Sequence, residues 1–484
     1  MKDLDRPSTL PGSAALLTDL YQLTMARGHW RAGRLDARGV FHLSFRRAPF
    51  GGTWALAAGI GPALDAIERL GFTHEDVEAL AALPGARGKG SLFENEFLDL
   101  LRATPQFQLD VDVIPEGSIA LPGVPMVKVT GPLWQAQLVE TILLNMIGYD
   151  TLIATKAARV VHAAAGASVL EFGARRAQGP GASVTAARAA WIGGVAGTSN
   201  VLAAAQLGIP VKGTHAHAWV QSFAGDDSPD LTEARAFEAF AESMPDGCVL
   251  LVDTYDTLAG VARAIEVARG LRSRGHELTG IRLDSGDLVE LSRKARAALD
   301  DAGFPDVAIV ASDDLDERRI TELRAKGARI DSYGVGTRLV TGGDQASLGV
   351  VYKLSAVTEG AGEPWRPVMK LSANPIKRSL PGDVHVLRHR GAGKLLGDFV
   401  ALDTKEASSL GGNAEPLLVP ALRAGELVGS DLSDLAAARE RARSELASLP
   451  EGAFYLDAPA PIPTELSGPL RQLQETLVQR AQSH

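Results

Sequence analysis

An α/β fold, centred on a closed or nearly closed barrel of parallel strands, is what the sequence predicts, and three observations predict it. Short β-like runs alternate with amphipathic helical stretches through the middle of the chain, each run ends in polar or glycine-rich residues, and six such units follow one another. In barrels of this kind the chemistry gathers at the C-terminal ends of the strands. A doubly wound open sheet uses the same alternation and is the alternative.

The elements follow in order. Residues 1–125 read as α+β, with a strand at Phe41-His-Leu-Ser-Phe45, helical stretches around 56–70 and 91–103, and a Pro/Gly-containing run at 115–125. The barrel is expected over 126–349. Its strands are Ser168–Phe172 before Gly-Ala-Arg-Arg, Ile209–Lys212 before Gly-Thr-His, Val249–Val252 before Asp-Thr-Tyr, and Gly280–Leu283 before Asp-Ser-Gly-Asp. Val307–Val310 before Ala-Ser-Asp-Asp and Ile330–Tyr333 before Gly-Val-Gly-Thr complete the set. Between them Leu258, Val261, Ile265 and Ala268 share one helical face, as do Leu288, Leu291, Ala295 and Leu299, so these helices can cover a sheet. Residues 350–484 add β-like segments at Val350–Lys353, Val384–Leu387 and Leu417–Val419, a loop at 389–396, a charged helix at about 433–448 and a closing segment near 465–482. Both chain ends are expected to join as one discontinuous α+β domain around the barrel.

Composition narrows the function. With 49 Lys and Arg against 58 Asp and Glu in 484 residues, the net charge of −9 argues against a nucleic-acid binder, which needs a basic face. Cys248 is the only cysteine, which excludes an intramolecular disulfide and any multi-cysteine metal site and fits a reducing, cytoplasmic setting. Met1-Lys-Asp-Leu-Asp-Arg-Pro7 lacks a long apolar stretch, so no secretory signal is expected. No run of 18 strongly apolar residues predicts a membrane span.

Three segments carry chemistry. Glu171-Phe-Gly-Ala-Arg-Arg176, with Gly193–Asn200 downstream, pairs arginine forks with exposed backbone N–H groups, both suited to phosphate oxygens; a surface Arg pair and a helix packed through small residues would read the same way. Gly213-Thr-His-Ala-His-Ala-Trp219 sets two histidines two apart after a strand, as metal ligands or as a single acid, base or nucleophile. The third segment combines Asp253-Thr-Tyr-Asp256, Arg282-Leu-Asp-Ser-Gly-Asp287, Ser312-Asp-Asp314 and Gly334-Val-Gly-Thr337, at four successive strand ends. Carboxylates, hydroxyls and glycines there can coordinate Mg²⁺, hold ribose hydroxyls and wrap a phosphate. One Asp at a strand end is commonly a helix N-cap, but capping alone does not account for four in succession.

Taken together, these motifs resemble the nicotinate phosphoribosyltransferase family over most of the chain. The resemblance runs from Leu16-Leu-Thr-Asp-Leu-Tyr-Gln-Leu-Thr-Met25 and Phe45-Arg-Arg-Ala-Pro-Phe-Gly-Gly52, through Glu171–Arg176, Gly197–Asn200 and Gly213–His217, to Val252–Asp256, Arg282–Asp287, Tyr333–Thr337 and Val351–Leu354. It implies a type II phosphoribosyltransferase fold, an incomplete (β/α) barrel with a second α+β domain built from both chain ends. It also implies a homodimer with shared active sites, ATP as cosubstrate and Mg²⁺ as the expected metal, with no ligand cluster of the protein's own assigned to it. Family members join nicotinate to phosphoribosyl pyrophosphate, release pyrophosphate and nicotinate mononucleotide in NAD biosynthesis, and couple the step to ATP hydrolysis.

Residue by residue, the resemblance implies the following. Phe172 matches the ring-stacking aromatic and Tyr21 the one contributed by the neighbouring subunit. Arg175, Gly334, Gly336 and Thr337 match the 5′-phosphate site, with Ser312 and Asp313 at the preceding strand end. Asp284 and Arg282 face ribose and base, Asp253 is a second carboxylate, and Thr214 belongs to the substrate-binding set. Lys353, and with it Lys377 and Arg46 or Arg47, match basic positions that handle pyrophosphate across the dimer. His217 matches the phosphorylated histidine, whereas His215 falls at a variable position. Ser199 stands where the nicotinamide enzyme carries an acid, and a hydroxyl there suits a carboxylate substrate.

The rivals are the nicotinamide and quinolinate enzymes, a barrel that binds a phosphoribosyl ligand without turnover, and a sugar-phosphate isomerase or aldolase, for which only Lys212 lies near a strand end.

Overall fold

The structure, a computed structural model, describes residues 14–85, 88–225, 228–372, 374, 378–406, 414–429 and 431–482; Lys377 lies outside them. The chain forms two units, one running from Lys156 to Asp344 and the other built from the residues before and after it. The helix Glu140–Ala164 carries the chain across the first boundary.

In the Lys156–Asp344 unit six strands form one parallel sheet. They are β1 (Ser168–Glu171), β2 (Gly197–Thr198), β3 (Val249–Leu251), β4 (Gly280–Leu283), β5 (Ala308–Ser312) and β6 (Ser332–Val335). Their order is β2-β1-β6-β5-β4-β3, with every pair parallel. First and last strands are neighbours, so the order is cyclic with one break between β2 and β3. A doubly wound sheet would reverse direction at a switch point instead, and the incomplete barrel is what forms. Leu250, Leu251, Ile281, Leu283, Ile309, Ala311, Tyr333 and Val335 are all buried, the near-continuous apolar pattern of a sheet covered by helices.

The expected strand at Ile209–Lys212 falls in the break and is the main departure from the sequence reading. It makes a single parallel bridge, Val211 with Thr198, flanked by Thr198 N–H to the Pro210 carbonyl at 3.0 Å and Lys212 N–H to the Thr198 carbonyl at 2.9 Å. Pro210 has no N–H, so the segment cannot extend a ladder through that position. On its other side, side chains replace the backbone: the Thr214 hydroxyl donates to the Val249 carbonyl, and Leu251 N–H donates to His215 Nε2 at 3.1 Å. The ring is thus bridged across its gap by two residues of the Gly-Thr-His segment.

Helix faces follow the periodicity with one exception. Val261, Ile265 and Ala268 are buried, but Leu258 is 39% exposed. Gly260 explains this, because a Cβ there would sit 2.1 Å from the Val252 carbonyl; the helix Thr257–Ser273 meets the strand end through glycine. Leu288, Ala295 and Leu299 are buried as expected, with Leu291 partly so. At the opposite pole, three helix ends are capped by an arginine from the helix before each in the ring. Arg272 donates to the Gly303 carbonyl at 3.1 Å, Arg293 to Gly327 at 3.0 Å and Arg324 to Ala163 at 2.9 Å. A cation at a helix C-terminus satisfies free carbonyls and complements the dipole.

In the other unit, the two chain ends share a seven-stranded sheet. Strand Arg38–Phe45 lies between Val350–Thr358 and Val127–Pro132, antiparallel to both. A second sheet orders Ala414–Pro416, His385–Gly391, Lys394–Ala401 and Thr464–Leu466. The 389–396 stretch, read as a loop, is the turn of a hairpin and the strand ends flanking it. Leu417 and Leu418 separate two strands rather than forming one.

Candidate active site

The C-terminal ends of β3, β4 and β5 deliver their polar residues into one network. Asp284, just after β4, accepts from Arg282 Nη2 at 2.6 Å and from Ser312 Oγ at 2.5 Å through the same oxygen, Oδ1. Arg282 Nε also donates to Ser312 Oγ at 2.7 Å, closing a triangle between neighbouring strands. Asp284 Oδ2 is left facing His217, whose Nε2 is 3.7 Å away. Asp253, just after β3, accepts from Asp284 N–H and Ser285 Oγ, both at 2.8 Å, on Oδ2. Its Oδ1 is buried with no protein partner among the described residues. A buried carboxylate oxygen without a donor is costly, so it marks the place where a ligand hydroxyl or a cation's water would be bound.

The two histidines part company here. His217 opens the short helix His217–Gln221; its side chain is 40% exposed, with Nδ1 3.2 Å from Thr254 Oγ1. His215 sits in the extended segment, is buried against Phe237 and Phe240, and uses Nε2 to accept the Leu251 N–H. Burial, the largest cause, holds the His215 imidazole down to about 4. The neutral ring is thus a structural acceptor, while His217 turns Nε2 toward Asp284.

The Asp pairs divide their labour by position. Asp253 and Asp284 enter the network, whereas Asp256 and Asp287 cap the next helices, accepting from Ala259 N–H at 2.8 Å and from Val289 N–H at 3.0 Å. Asp316 caps the helix after β5, by a 2.9 Å bond from Arg319 N–H. Capping therefore accounts for the second aspartate of Asp253–Asp256 and of Arg282–Asp287 and not for the first.

Phe172, after β1, has the Arg282 guanidinium 5.9 Å from its ring centroid. A Cβ at Gly334 would lie 2.6 Å from that ring, and one at Gly336 3.2 Å from the Phe172 carbonyl. These glycines are thus required by the aromatic's seat as well as available to an anion. Glu171, fully buried, accepts from Thr198 Oγ1 at 2.5 Å and from Gly173 N–H, and burial pushes its carboxyl up. Ser199 is held beside it by a 2.9 Å bond from its N–H to the Glu171 carbonyl. Arg175 is exposed in the turn Ala174–Arg176, and Asp313 and Thr337 are exposed after β5 and β6.

The structure therefore brings Asp284, Arg282, Ser312 and Asp253 into one hydrogen-bonded cluster with His217 facing it, and sets Phe172 against Gly334. Thr214 joins the barrel frame through Val249. Tyr21 and Lys353 belong to the other unit, where Glu140 approaches both. Lys353, Arg46 and Arg378 line a cleft of about 370 Å³ in that unit, with Arg47 not among its lining residues. Thr254, Glu171, Ser285 and Glu140 escaped the sequence reading. The first three stand inside or beside quoted motifs, so adjacency was their only signal; Glu140 had none.

Comparison with known proteins decides the family. Residues 16–148 match the nicotinate phosphoribosyltransferase (NAPRTase) N-terminal domain, and residues 167–385 match the nicotinate phosphoribosyltransferase (NAPRTase) family. The chain belongs to the nicotinate phosphoribosyltransferase family. The Mycobacterium tuberculosis nicotinate phosphoribosyltransferase pncB2 is 43% identical over 436 residues, 90% of this chain and 88% of its own. A Bacillus subtilis nicotinate phosphoribosyltransferase is 44% identical over 393 residues, 81% of this chain and 76% of its own. The crystal structure of human nicotinic acid phosphoribosyltransferase superposes with a TM-score of 0.81 at 33% identity, covering 96% of this chain and all of the human one. A nicotinate-nucleotide pyrophosphorylase from Pyrococcus furiosus, at 22% identity, shares the fold with a TM-score of 0.70 over 90% of this chain and 95% of its own. The membership agrees with the incomplete barrel and with the ordered motifs.

Proposed function

We propose that this protein transfers the phosphoribosyl group of phosphoribosyl pyrophosphate to nicotinate, giving nicotinate mononucleotide and pyrophosphate, with ATP hydrolysis coupled through a phosphorylated His217. The observation that carries the reading is the pairing of an exposed His217 with an Asp284 carboxylate whose other oxygen is already occupied by Arg282 and Ser312.

In the transfer step the pyridine nitrogen bonds to the ribose anomeric carbon as the bond to pyrophosphate breaks, and its electron pair leaves with pyrophosphate. Catalysis of such a step is mostly positioning and electrostatics. Phe172 would stack one face of the base and the partner subunit's Tyr21 the other, in a homodimer with shared sites. Asp284 and Asp253 would hold ribose hydroxyls, Arg282 the base side, and Arg175, Gly334, Gly336 and Thr337 the 5′-phosphate, with Ser312, Asp313 and Thr214 supporting them. Lys353 would meet the pyrophosphate. The Asp253 oxygen without a donor and the neighbouring Asp284 form a hard-oxygen donor set that fits Mg²⁺ arriving with the phosphates. That ion supplies charge neutralisation to the leaving pyrophosphate.

In the coupling step, His217 Nε2 would take the terminal phosphoryl group of ATP, releasing ADP, while Nδ1 keeps its proton toward Thr254. Hydrolysis of the phosphohistidine then draws the equilibrium toward product. One buried thiol, Cys248, fits a reducing, cytoplasmic setting. Among the described residues no helix is long and apolar enough to cross a membrane.

The test is a turnover assay with phosphoribosyl pyrophosphate and Mg²⁺, crossing nicotinate against nicotinamide and ATP against its absence. Nicotinate should be consumed, with ATP raising the final product ratio. Comparable turnover of both bases, or a ratio indifferent to ATP, would overturn the reading.

A further inference from the structure

Building on that function, we propose that Glu140 is a positioning residue that ties the base-stacking Tyr21 to the pyrophosphate-facing Lys353, so that base and pyrophosphate binding are coupled through one carboxylate. All of the contacts lie within one unit. Glu140 opens the helix Glu140–Ala164, with its side chain 17% exposed. Oε2 accepts from Gln22 Nε2 at 2.8 Å, and Oε1 is 3.9 Å from Lys353 Nζ.

Gln22 is fully buried and immediately follows Tyr21, whose own side chain is 47% exposed. Two residues near Glu140 clamp this stretch through three hydrogen bonds. Gln137 Nε2 donates to the Gln22 carbonyl at 3.1 Å, Asp19 N–H donates to Thr141 Oγ1 at 3.2 Å, and Thr141 Oγ1 donates to Asp19 Oδ2 at 3.0 Å. The helix Leu20–Arg31 has no side-chain cap of its own at Asp19, so this clamp sets the direction in which Tyr21 leaves the surface.

Charge makes the second half of the tie. Lys353 is half-buried, its Nζ donates to the Tyr352 carbonyl at 2.6 Å, and its strand neighbour across the sheet is His42. Burial lowers its pKa, Lys370 and Arg46 lower it further, and Glu140 is the acid that opposes them. Tyr21 is raised by burial first, then by Glu140 and more weakly by Asp19. Removing the Glu140 charge withdraws the acid that favours the Lys353 ammonium, the form that meets an anionic substrate, and lets the Tyr21 phenol ionise more readily.

Glu140→Gln keeps the shape and the Gln22 contact while deleting the charge. We expect KM for both nicotinate and phosphoribosyl pyrophosphate to rise about tenfold with kcat changed less than about threefold. The alkaline limb of kcat/KM for phosphoribosyl pyrophosphate should move to lower pH. In Tyr21→Phe and Lys353→Met backgrounds the added effect should shrink, because the three residues act as a unit. Ultraviolet titration of tyrosinate, taken as wild type minus Tyr21→Phe, should show Tyr21 ionising at lower pH in Glu140→Gln. Glu140→Asp, which retains the charge, should leave that titration in place and so serves if the Gln variant does not fold. Full additivity with both partner variants, or KM values and a Tyr21 titration that do not move, would overturn the proposal. The titration needs no substrate, so it still reads the tie if the wild type turns over neither base, an outcome that would count against the proposed reaction instead.

Discussion

His217 Nε2 faces Asp284 Oδ2 across 3.7 Å, while His215, two residues earlier, spends its Nε2 on the Leu251 backbone N–H at 3.1 Å. One histidine faces a carboxylate and the other supports the frame, and mutation should separate them. His217→Ala should lose ATP coupling while keeping its fold. His215→Ala should retain coupling per folded molecule but lose about 1–3 kcal/mol of stability, because a buried N–H is left without an acceptor. Equal loss of coupling in both, with equal melting temperatures, would sink the assignment.

The same burial makes stability pH-dependent. His215 is held down to about 4 and His42, enclosed in the other unit, to about 3, both chiefly by burial. Below pH ~6.5 the unfolded chain takes up protons that the folded chain refuses until its lower pKa is reached, so stability is full above that pH and falls as acid is added. For His215 the loss by pH ~4 is on the order of 3 kcal/mol. Denaturant unfolding at pH values between 7 and 4.5 should show this decline, shallower in His215→Ala. A flat profile would show that neither imidazole is kept neutral.

Substrate choice should turn on Ser199. Nicotinate carries a carboxylate, which a hydroxyl can donate to and an acid repels. Ser199→Asp is expected to lower kcat/KM for nicotinate about 100-fold, roughly 2.7 kcal/mol, and to improve the ratio for nicotinamide. An unchanged preference would mean that another residue reads the acid.

Gly334→Ala would push a methyl group to 2.6 Å from the Phe172 ring. The ring must then leave its seat, at an expected cost of about 1–3 kcal/mol for overpacking. KM for nicotinate should rise more than KM for phosphoribosyl pyrophosphate. If both rise equally, the glycine serves the phosphate rather than the aromatic.

Asp284→Asn should remove the carboxylate that Arg282, Ser312 and His217 share. We expect kcat/KM to fall by about 10²–10³. Asp287→Asn, three residues on, should do little, because asparagine caps a helix about as well as aspartate. Similar losses in the two would contradict the division of roles within Asp-Ser-Gly-Asp.

Much of the molecule was legible because periodicity and punctuation are local properties. Alternating apolar runs and helical stripes reported burial, and the polar residues after each run reported where the strands end. The family motifs likewise lie in short contiguous pieces, which is why His217, Asp284 and Phe172 could be singled out. Three things depended on contacts between distant segments. Only the cyclic order β2-β1-β6-β5-β4-β3 distinguishes a barrel from an open sheet. The loss of the strand at Ile209–Lys212 required knowing that β3 would be met by Thr214 and His215 side chains. The separation of His215 from His217 arose because an extended segment becomes a helix between them, turning apart two side chains that a continuous strand would have kept on one face.

By itself, then, the sequence determined the α/β alternation, the family and the set of residues at the strand ends. The tertiary structure decided which member of each similar pair joins the strand-end network: Asp253 rather than Asp256, Asp284 rather than Asp287, His217 rather than His215. The physical reason is that residue type encodes what a side chain can do, whereas its direction is set by the partner that satisfies its neighbour. A helix N–H takes the second aspartate and a strand N–H takes the first histidine, while the first aspartates and the second histidine join the strand-end network.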